Sequence, residues 1–218
     1  MTKIKICGIK TAEHALASAK AGADFIGMVF APSARQITTD TAVKITAALK
    51  KEKPGIEVVG VFVNTDAGTV NHIVELCRLD RVQLSGDEPW EYCREIAKPI
   101  IKVMRVNRNN PAGKVGKDIE YGVKLLKGQK ITILLDTTAE GKYGGTGETF
   151  DWELAAPIAR RFPVIIAGGL MPGNVAEAIK TLHPWGVDVS TGVETAGIKD
   201  MEKIKEFIEA VRKTDAHA

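Results

Sequence analysis

Asp136 directly follows the run Ile131-Thr132-Ile133-Leu134-Leu135, and that adjacency is the first chemical feature of the sequence. A short apolar run rich in β-branched side chains and bounded by turn residues predicts a strand covered on both faces, as in a parallel sheet. Asp136 then stands at the strand's carboxyl end, where parallel sheets gather their ligands and a carboxyl can serve as an acid. The loop beyond closes with Gly144-Gly145-Thr146-Gly147, which can turn successive backbone N–H groups toward an anion. Two more glycine turns, Gly168-Gly169 and Ser190-Thr191-Gly192, follow the next two apolar runs. Each is explained singly by tight turning. Three at consecutive strand ends predict a phosphate site, since barrels often build one from the loops after strands seven and eight and a short extra helix. Thr191-Gly192-Val193-Glu194 is the place for that helix, its first N–H groups on the phosphate.

Cys7 ends the first apolar run and precedes Gly8. A thiolate there can take a proton from carbon, provided that neighbours lower its pKa. Lys5 shares the Cys7 face two residues back, a layer deeper in a barrel, which makes it a poor direct helper of the thiol. A lysine so placed is costly unless paired, and that assigns it to the site. Arg35 lies in a loop, where the choice is between a solvated surface charge and a planar fork gripping a substrate carboxylate. Cys77 and Cys93 fall on helical patterns and read as small buried hydrophobes. His14, His72, His183 and His217 are all away from strand ends, so none is expected in catalysis or metal binding.

These residues need a frame. Strands are expected at Lys3–Cys7, Asp24–Phe30, Glu57–Val63, Arg81–Leu84, Ile100–Val106, Ile131–Leu135, Val164–Gly168 and Gly186–Ser190, with a helical pattern between each consecutive pair. Eight such units divide the chain into roughly 27 residues apiece, near the minimum for a βα unit. Residues 1–218 are therefore expected to form a single-domain α/β protein, a (β/α)8 TIM barrel, with no room for a second domain. An open doubly wound sheet would usually carry GxGxxG after its first strand, and Cys7-Gly8-Ile9-Lys10 lacks that pattern. Thr11, then Thr39 or Asp40, then Asp66 are expected to cap helices, and Pro89 and Pro172 to open them. The last helix, Met201–Arg212, places Ile204, Phe207, Ile208 and Val211 on one face. Between Val106 and Lys130 the helix is interrupted by glycines and its limits are undefined. At the barrel mouth the strand ends bring Cys7, Pro32–Arg35, Asn64, Gln83–Gly86, Arg105, Asp136, Ala167–Leu170 and Asp188–Glu194 together.

Composition narrows the function classes. The net charge of +3 comes from 30 basic and 27 acidic residues spread along the chain, which argues against nucleic acid as a partner. Three cysteines without a CxxC pair argue against a disulfide framework and a zinc site. The first ten residues lack the apolar segment of a signal peptide and no run reaches membrane-spanning length, so a cytoplasmic protein without a membrane partner is expected.

Lys5-Ile6-Cys7-Gly8-Ile9, Val82-Gln83-Leu84, Leu135-Asp136, Gly144-Gly145-Thr146-Gly147, Ala167-Gly168-Gly169-Leu170 and Gly186-Val187-Asp188-Val189-Ser190-Thr191-Gly192-Val193-Glu194 together resemble the phosphoribosylanthranilate isomerase family, a (β/α)8 barrel of tryptophan biosynthesis. The resemblance runs over essentially the whole chain. It implies an Amadori rearrangement of N-(5'-phosphoribosyl)anthranilate by general acid and base catalysis, with no cofactor and no metal. It implies Asp136 as the acid that opens the ribose ring and Cys7 as the base at C2'. Substrate binding would then fall to Lys5, Gln83, Arg35 at the anthranilate carboxylate, and Gly145, Thr146, Gly147, Gly168, Gly169, Ser190, Thr191 and Gly192 at the phosphate. Three departures stand out: Ser85 where the family commonly has histidine, Ala34 in place of proline before Arg35, and Thr191 in place of serine. Two alternatives are a phosphosugar isomerase barrel of histidine biosynthesis, which typically has aspartate where this chain has Cys7, and a non-catalytic phosphate-binding barrel. Monomer and homodimer are both compatible with the sequence.

Overall fold

A computed structural model describes residues 1–107, 109–136 and 152–217. Eight parallel strands close in sequence order: β1 (Lys3–Cys7), β2 (Phe25–Val29), β3 (Glu57–Phe62), β4 (Arg81–Leu84), β5 (Ile100–Arg105), β6 (Ile131–Asp136), β7 (Val164–Ala167) and β8 (Gly186–Val189). Closure is made by β8 pairing back on β1, with Lys5 opposite Asp188 and Ile6 opposite Val189. Each strand lies within one residue of its expected limits, and Asp136 is the last residue of β6 rather than the first beyond it.

Around the barrel run α1 (Ala12–Ala21), α2 (Thr39–Glu52), α3 (Ala67–Leu76), α4 (Ala112–Leu125), α5 (Trp152–Ala159), α6 (Val175–Leu182) and α7 (Met201–Asp215). The expectation of a full helix in every connection fails between β4 and β5, where a 3-10 segment, Trp90–Glu95, takes its place. Pro89 and Pro99 bracket that connection, and a residue preceding proline is pushed out of the helical region. Thr11 and Asp66 cap α1 and α3 as expected, their side chains accepting from the N–H groups of His14 and Thr69. The cap of α2 is Thr38, not Thr39 or Asp40: Thr38 is the last extended residue and its hydroxyl accepts from the Thr41 N–H. Pro172 sits in a turn before α6, whose cap position is Asn174.

Two apolar layers hold this frame. Inside the barrel are Phe25, Val59, Ile101, Val103, Leu134, Ile165 and Ala167. Between sheet and helices lies the larger layer, which takes up Ile204, Phe207, Ile208 and Val211 of α7 as their spacing predicts, and also Cys77 and Cys93. Of the glycines that obscured α4, Gly122 belongs to this packing. A β-carbon on Gly122 would stand 2.1 Å from Cδ2 of Trp90, so the helix is continuous and the missing side chain makes room for an indole.

Candidate active site

The carboxyl ends of the strands open onto a cavity of about 580 Å³. Cys7, Arg35, Gln83, Asp136, Gly168, Gly169, Ser190, Thr191 and Gly192 all line it, so most of the residues singled out by sequence converge on one space. Lys5 lies beneath, fully buried. Gly144, Gly145, Thr146 and Gly147 lie outside the described residues. Cys7 on β1 and Asp136 on β6 face each other across the mouth, three strands apart by way of β8 and β7.

Lys5 is closer to the chemistry than its depth suggested. Its ammonium bonds Asp188 at 2.9 Å, directly across the β1–β8 register. A β-carbon on Gly27 would stand 2.9 Å from the Cys7 sulfur and 3.1 Å from the Lys5 nitrogen, so Gly27 of β2 leaves the pocket in which thiol and ammonium meet. Burial pushes the Cys7 thiol above its ordinary range; the Lys5 ammonium opposes that and the Asp188 carboxylate reinforces it. The expected lowering of this pKa is therefore not met, because desolvation outweighs the lysine. Burial disfavours the Lys5 ammonium too, but attraction to Asp188 and to Cys7 more than compensates and keeps it charged.

Arg35 is held from two sides. Its aliphatic stem crosses Gly8, where a β-carbon would stand 2.4 Å from Cδ and the backbone is left-handed at φ +78°. Its guanidinium donates from Nε and Nη2 to the two carboxylate oxygens of Glu194, each at 2.7 Å. Lys199 donates to the same carboxylate at 2.6 Å and to the Ser190 carbonyl at 2.9 Å. Burial alone would raise the Glu194 pKa, yet these hydrogen bonds from Arg35 and Lys199 hold it below the usual carboxylate range.

The β7 and β8 turns form the adjoining wall. Gly168 and Gly169 have φ of +94° and +65°, a conformation open to glycine at little cost. Ser190 leads into a single 3-10 turn, Thr191–Val193, shorter than the extra helix expected there. A β-carbon on Gly192 would stand 1.9 Å from the Leu170 carbonyl oxygen, so this glycine lets the two turns touch. On the β4 side, the Gln83 amide donates to the Ser85 hydroxyl at 3.1 Å while its own oxygen is buried without a partner among the described residues. Arg105, at the end of β5, donates to the Ser85 carbonyl and lines the same cavity. Among the described residues no group of three or more His, Cys, Asp or Glu is placed to hold a metal ion.

Sequence reasoning counted Asp188 and Glu194 among the residues at the mouth without giving either a role, and passed over Gly27 and Lys199. The paired-lysine argument called for a partner to Lys5, and the barrel closure was needed to name it as Asp188.

A closed barrel that carries a thiol, a carboxyl and facing glycine turns at one mouth defines a (β/α)8 enzyme built for a phosphorylated sugar. The family model for N-(5'-phosphoribosyl)anthranilate (PRA) isomerase matches residues 4–210, and the chain belongs to that family. A protein of Dehalococcoides mccartyi named N-(5'-phosphoribosyl)anthranilate isomerase is 48% identical over 217 residues, covering 100% of this chain and 99% of its own. One from a Roseiflexus species is 43% identical over 97% of this chain and 98% of its own length. The crystal structure of phosphoribosyl anthranilate isomerase from Thermotoga maritima superposes with a TM-score of 0.83 at 38% identity, covering 98% of this chain and 100% of that one. Another phosphoribosyl anthranilate isomerase, solved in complex with reduced 1-(o-carboxyphenylamino)-1-deoxyribulose 5-phosphate, gives a TM-score of 0.80 at 37% identity, with 98% and 100% coverage.

Proposed function

We propose that this protein rearranges N-(5'-phosphoribosyl)anthranilate to 1-(2-carboxyphenylamino)-1-deoxyribulose 5-phosphate in tryptophan biosynthesis. The observation that carries the reading is the placement of Cys7 and Asp136 in one cavity with the β7 and β8 glycine turns between them. Asp136 gives its proton to the ribose ring oxygen as the C1'–O bond breaks and the anilino nitrogen lone pair forms the C=N bond. The Cys7 thiolate then takes the proton from C2', and the C–H electrons move toward the nitrogen to give an enolamine. The enolamine then takes a proton at C1' as its C2' hydroxyl gives one up, and the ketone results. The substrate's own nitrogen is the electron sink, so the chemistry needs positioned proton donors and acceptors and no redox partner.

Substrate placement follows the same map. The phosphate sits against Gly168, Gly169, Ser190, Thr191 and Gly192, and the sequence assigns Gly145, Thr146 and Gly147, outside the described residues, to the same anion. Arg35 takes the anthranilate carboxylate, and Gln83, whose amide oxygen is buried beside the cavity, accepts from a hydroxyl or the N–H of the substrate. Lys5 contributes through the Cys7 sulfur. A cavity of about 580 Å³ is in the range that holds a ligand of this size. We assign the protein to the cytoplasm; among the described residues no helix is long and apolar enough to cross a membrane.

The test is the loss of substrate fluorescence with freshly generated phosphoribosylanthranilate. Wild type turns over, while Cys7→Ala and Asp136→Asn each fall by about a hundredfold or more, the size of a proton-transfer contribution. A silent wild type that still binds inorganic phosphate would make this a phosphate-binding barrel instead.

A further inference from the structure

The Glu194 carboxylate sits behind Arg35, buried and outside the cavity lining, with a bonding pattern that no packing role requires. It follows the 3-10 turn on β9 (Glu194–Thr195), which pairs with β10 (Ile198–Lys199) so that Glu194 stands opposite Lys199. The two-residue turn between them, Ala196-Gly197, has φ of +50° and +79°, the left-handed pair that a tight hairpin needs. Lys199 thus meets the carboxylate as a cross-strand neighbour, and Lys203 at the start of α7 holds the Glu194 carbonyl at 3.0 Å. The carboxylate is fixed before Arg35 reaches it.

Arg35 comes from the exposed loop after β2, where Ser33 and Ala34 face solvent. A guanidinium has five N–H donors, and the fork onto Glu194 uses one from Nε and one from Nη2. The second Nη2 hydrogen and both on Nη1 project from the edge away from Glu194, and Arg35 lines the cavity. Two cations share one carboxylate, so the Arg35–Glu194–Lys199 cluster keeps a net charge of +1 at the mouth. A substrate carboxylate would meet a cation whose orientation is already set, which lowers the ordering cost of binding.

We infer that Glu194 is a positioning residue that orients Arg35 and thereby sets the preference of this isomerase for an N-aryl substrate bearing an ortho carboxylate. The inference rests on the isomerase reading above and adds a residue that touches no substrate. The readout is the ratio of kcat/KM for phosphoribosylanthranilate to kcat/KM for the same compound made from aniline, which lacks only the carboxylate. Arg35→Ala lowers the ratio on the order of a hundredfold, as removal of a charged partner does. Glu194→Gln lowers it about tenfold, chiefly through KM for the carboxylated substrate, and adds nothing in the Arg35→Ala background. Glu194→Asp, which keeps a charge for Lys199 but shortens the reach, gives the same direction of change with a native melting curve.

Equal losses on both substrates, or a Glu194→Gln effect that multiplies with Arg35→Ala, would make Glu194 a structural residue and overturn the inference. If Glu194→Gln does not fold, Glu194→Asp with an unchanged ratio overturns it equally. A wild type inactive on both compounds would instead remove the isomerase reading, which keeps the two failures distinct.

Discussion

Cys7 is at once the proposed base and a buried thiol, and the two roles pull its pKa apart. Burial drives it above the ordinary cysteine range, Lys5 pulls it back, and Asp188 pushes with the burial. The thiol form therefore dominates near neutrality, and the thiolate fraction grows as pH rises. Alkylation of Cys7 by iodoacetamide, which reads the thiolate alone, is expected to accelerate with pH beyond the ordinary thiol value of about 8.5. Lys5→Met moves the climb to higher pH, because the ammonium is lost while the Asp188 carboxylate stays. kcat/KM needs Asp136 protonated as well and so does not follow the thiolate alone. An alkylation rate flat between about pH 6 and 9 would mean that Cys7 is not a titrating thiol. The same group makes a linked contribution to stability. Its raised folded pKa favours the native state fully below the unfolded value, and that contribution is lost as pH rises through the folded one. The need for a partner to Lys5 was legible in the sequence, since an unpaired lysine inside a barrel is costly. Its nearness to the sulfur was not, because alternation along β1 counts layers and ignores the length of a lysine stem, and Asp188 lies 183 residues away.

At the scale of elements, strand ends were readable to a residue, whereas helices were readable only where their own side chains decide the matter. α7 announces its buried face by spacing. α4 does not, because Gly122 answers to Trp90 of a different connection, and propensity cannot see an opposing ring. Trp90 is fixed in turn by its indole N–H donating to Asp118 at 2.9 Å. Helix propensity favours alanine over glycine by about 1 kcal/mol. At Gly122 that gain is overridden, since the added carbon falls on the indole. Gly122→Ala should lose about 1–3 kcal/mol in urea unfolding through overpacking. Gly113, in the first turn of the same helix, has nothing within 4 Å of an added β-carbon. Gly113→Ala should therefore be neutral or stabilising by up to about 1 kcal/mol. Equal effects at the two positions would refute the packing account of α4.

For the whole molecule, eight alternating units implied a closed barrel, but not which contacts fasten its ends, because those join residues about two hundred positions apart. The Thr2 N–H and hydroxyl donate to Asp215 at 2.9 and 2.7 Å, tying the start of β1 to the end of α7. Arg212 completes the fastening, donating to the Thr2 carbonyl at 2.7 Å, the Gly22 carbonyl at 3.0 Å and Asp24 at 3.2 Å. Asp24 in turn accepts from the Ile4 N–H at 2.9 Å. All of these lie at the amino ends of β1 and β2, the face of a barrel that serves stability, while the cavity occupies the other. The two faces are separated by the apolar interior of Phe25, Val59, Ile101 and Leu134. Removing Arg212 should therefore loosen the closure without disturbing the chemistry. Arg212→Ala is expected to lower unfolding free energy by about 1–2 kcal/mol, a modest value because the guanidinium is partly exposed and water replaces some of its bonds. At a temperature well below the melting transition kcat/KM should match wild type. A loss of kcat/KM in fully folded Arg212→Ala would mean that strain at the closure reaches Cys7 along β1, and the barrel could no longer be treated as two independent faces.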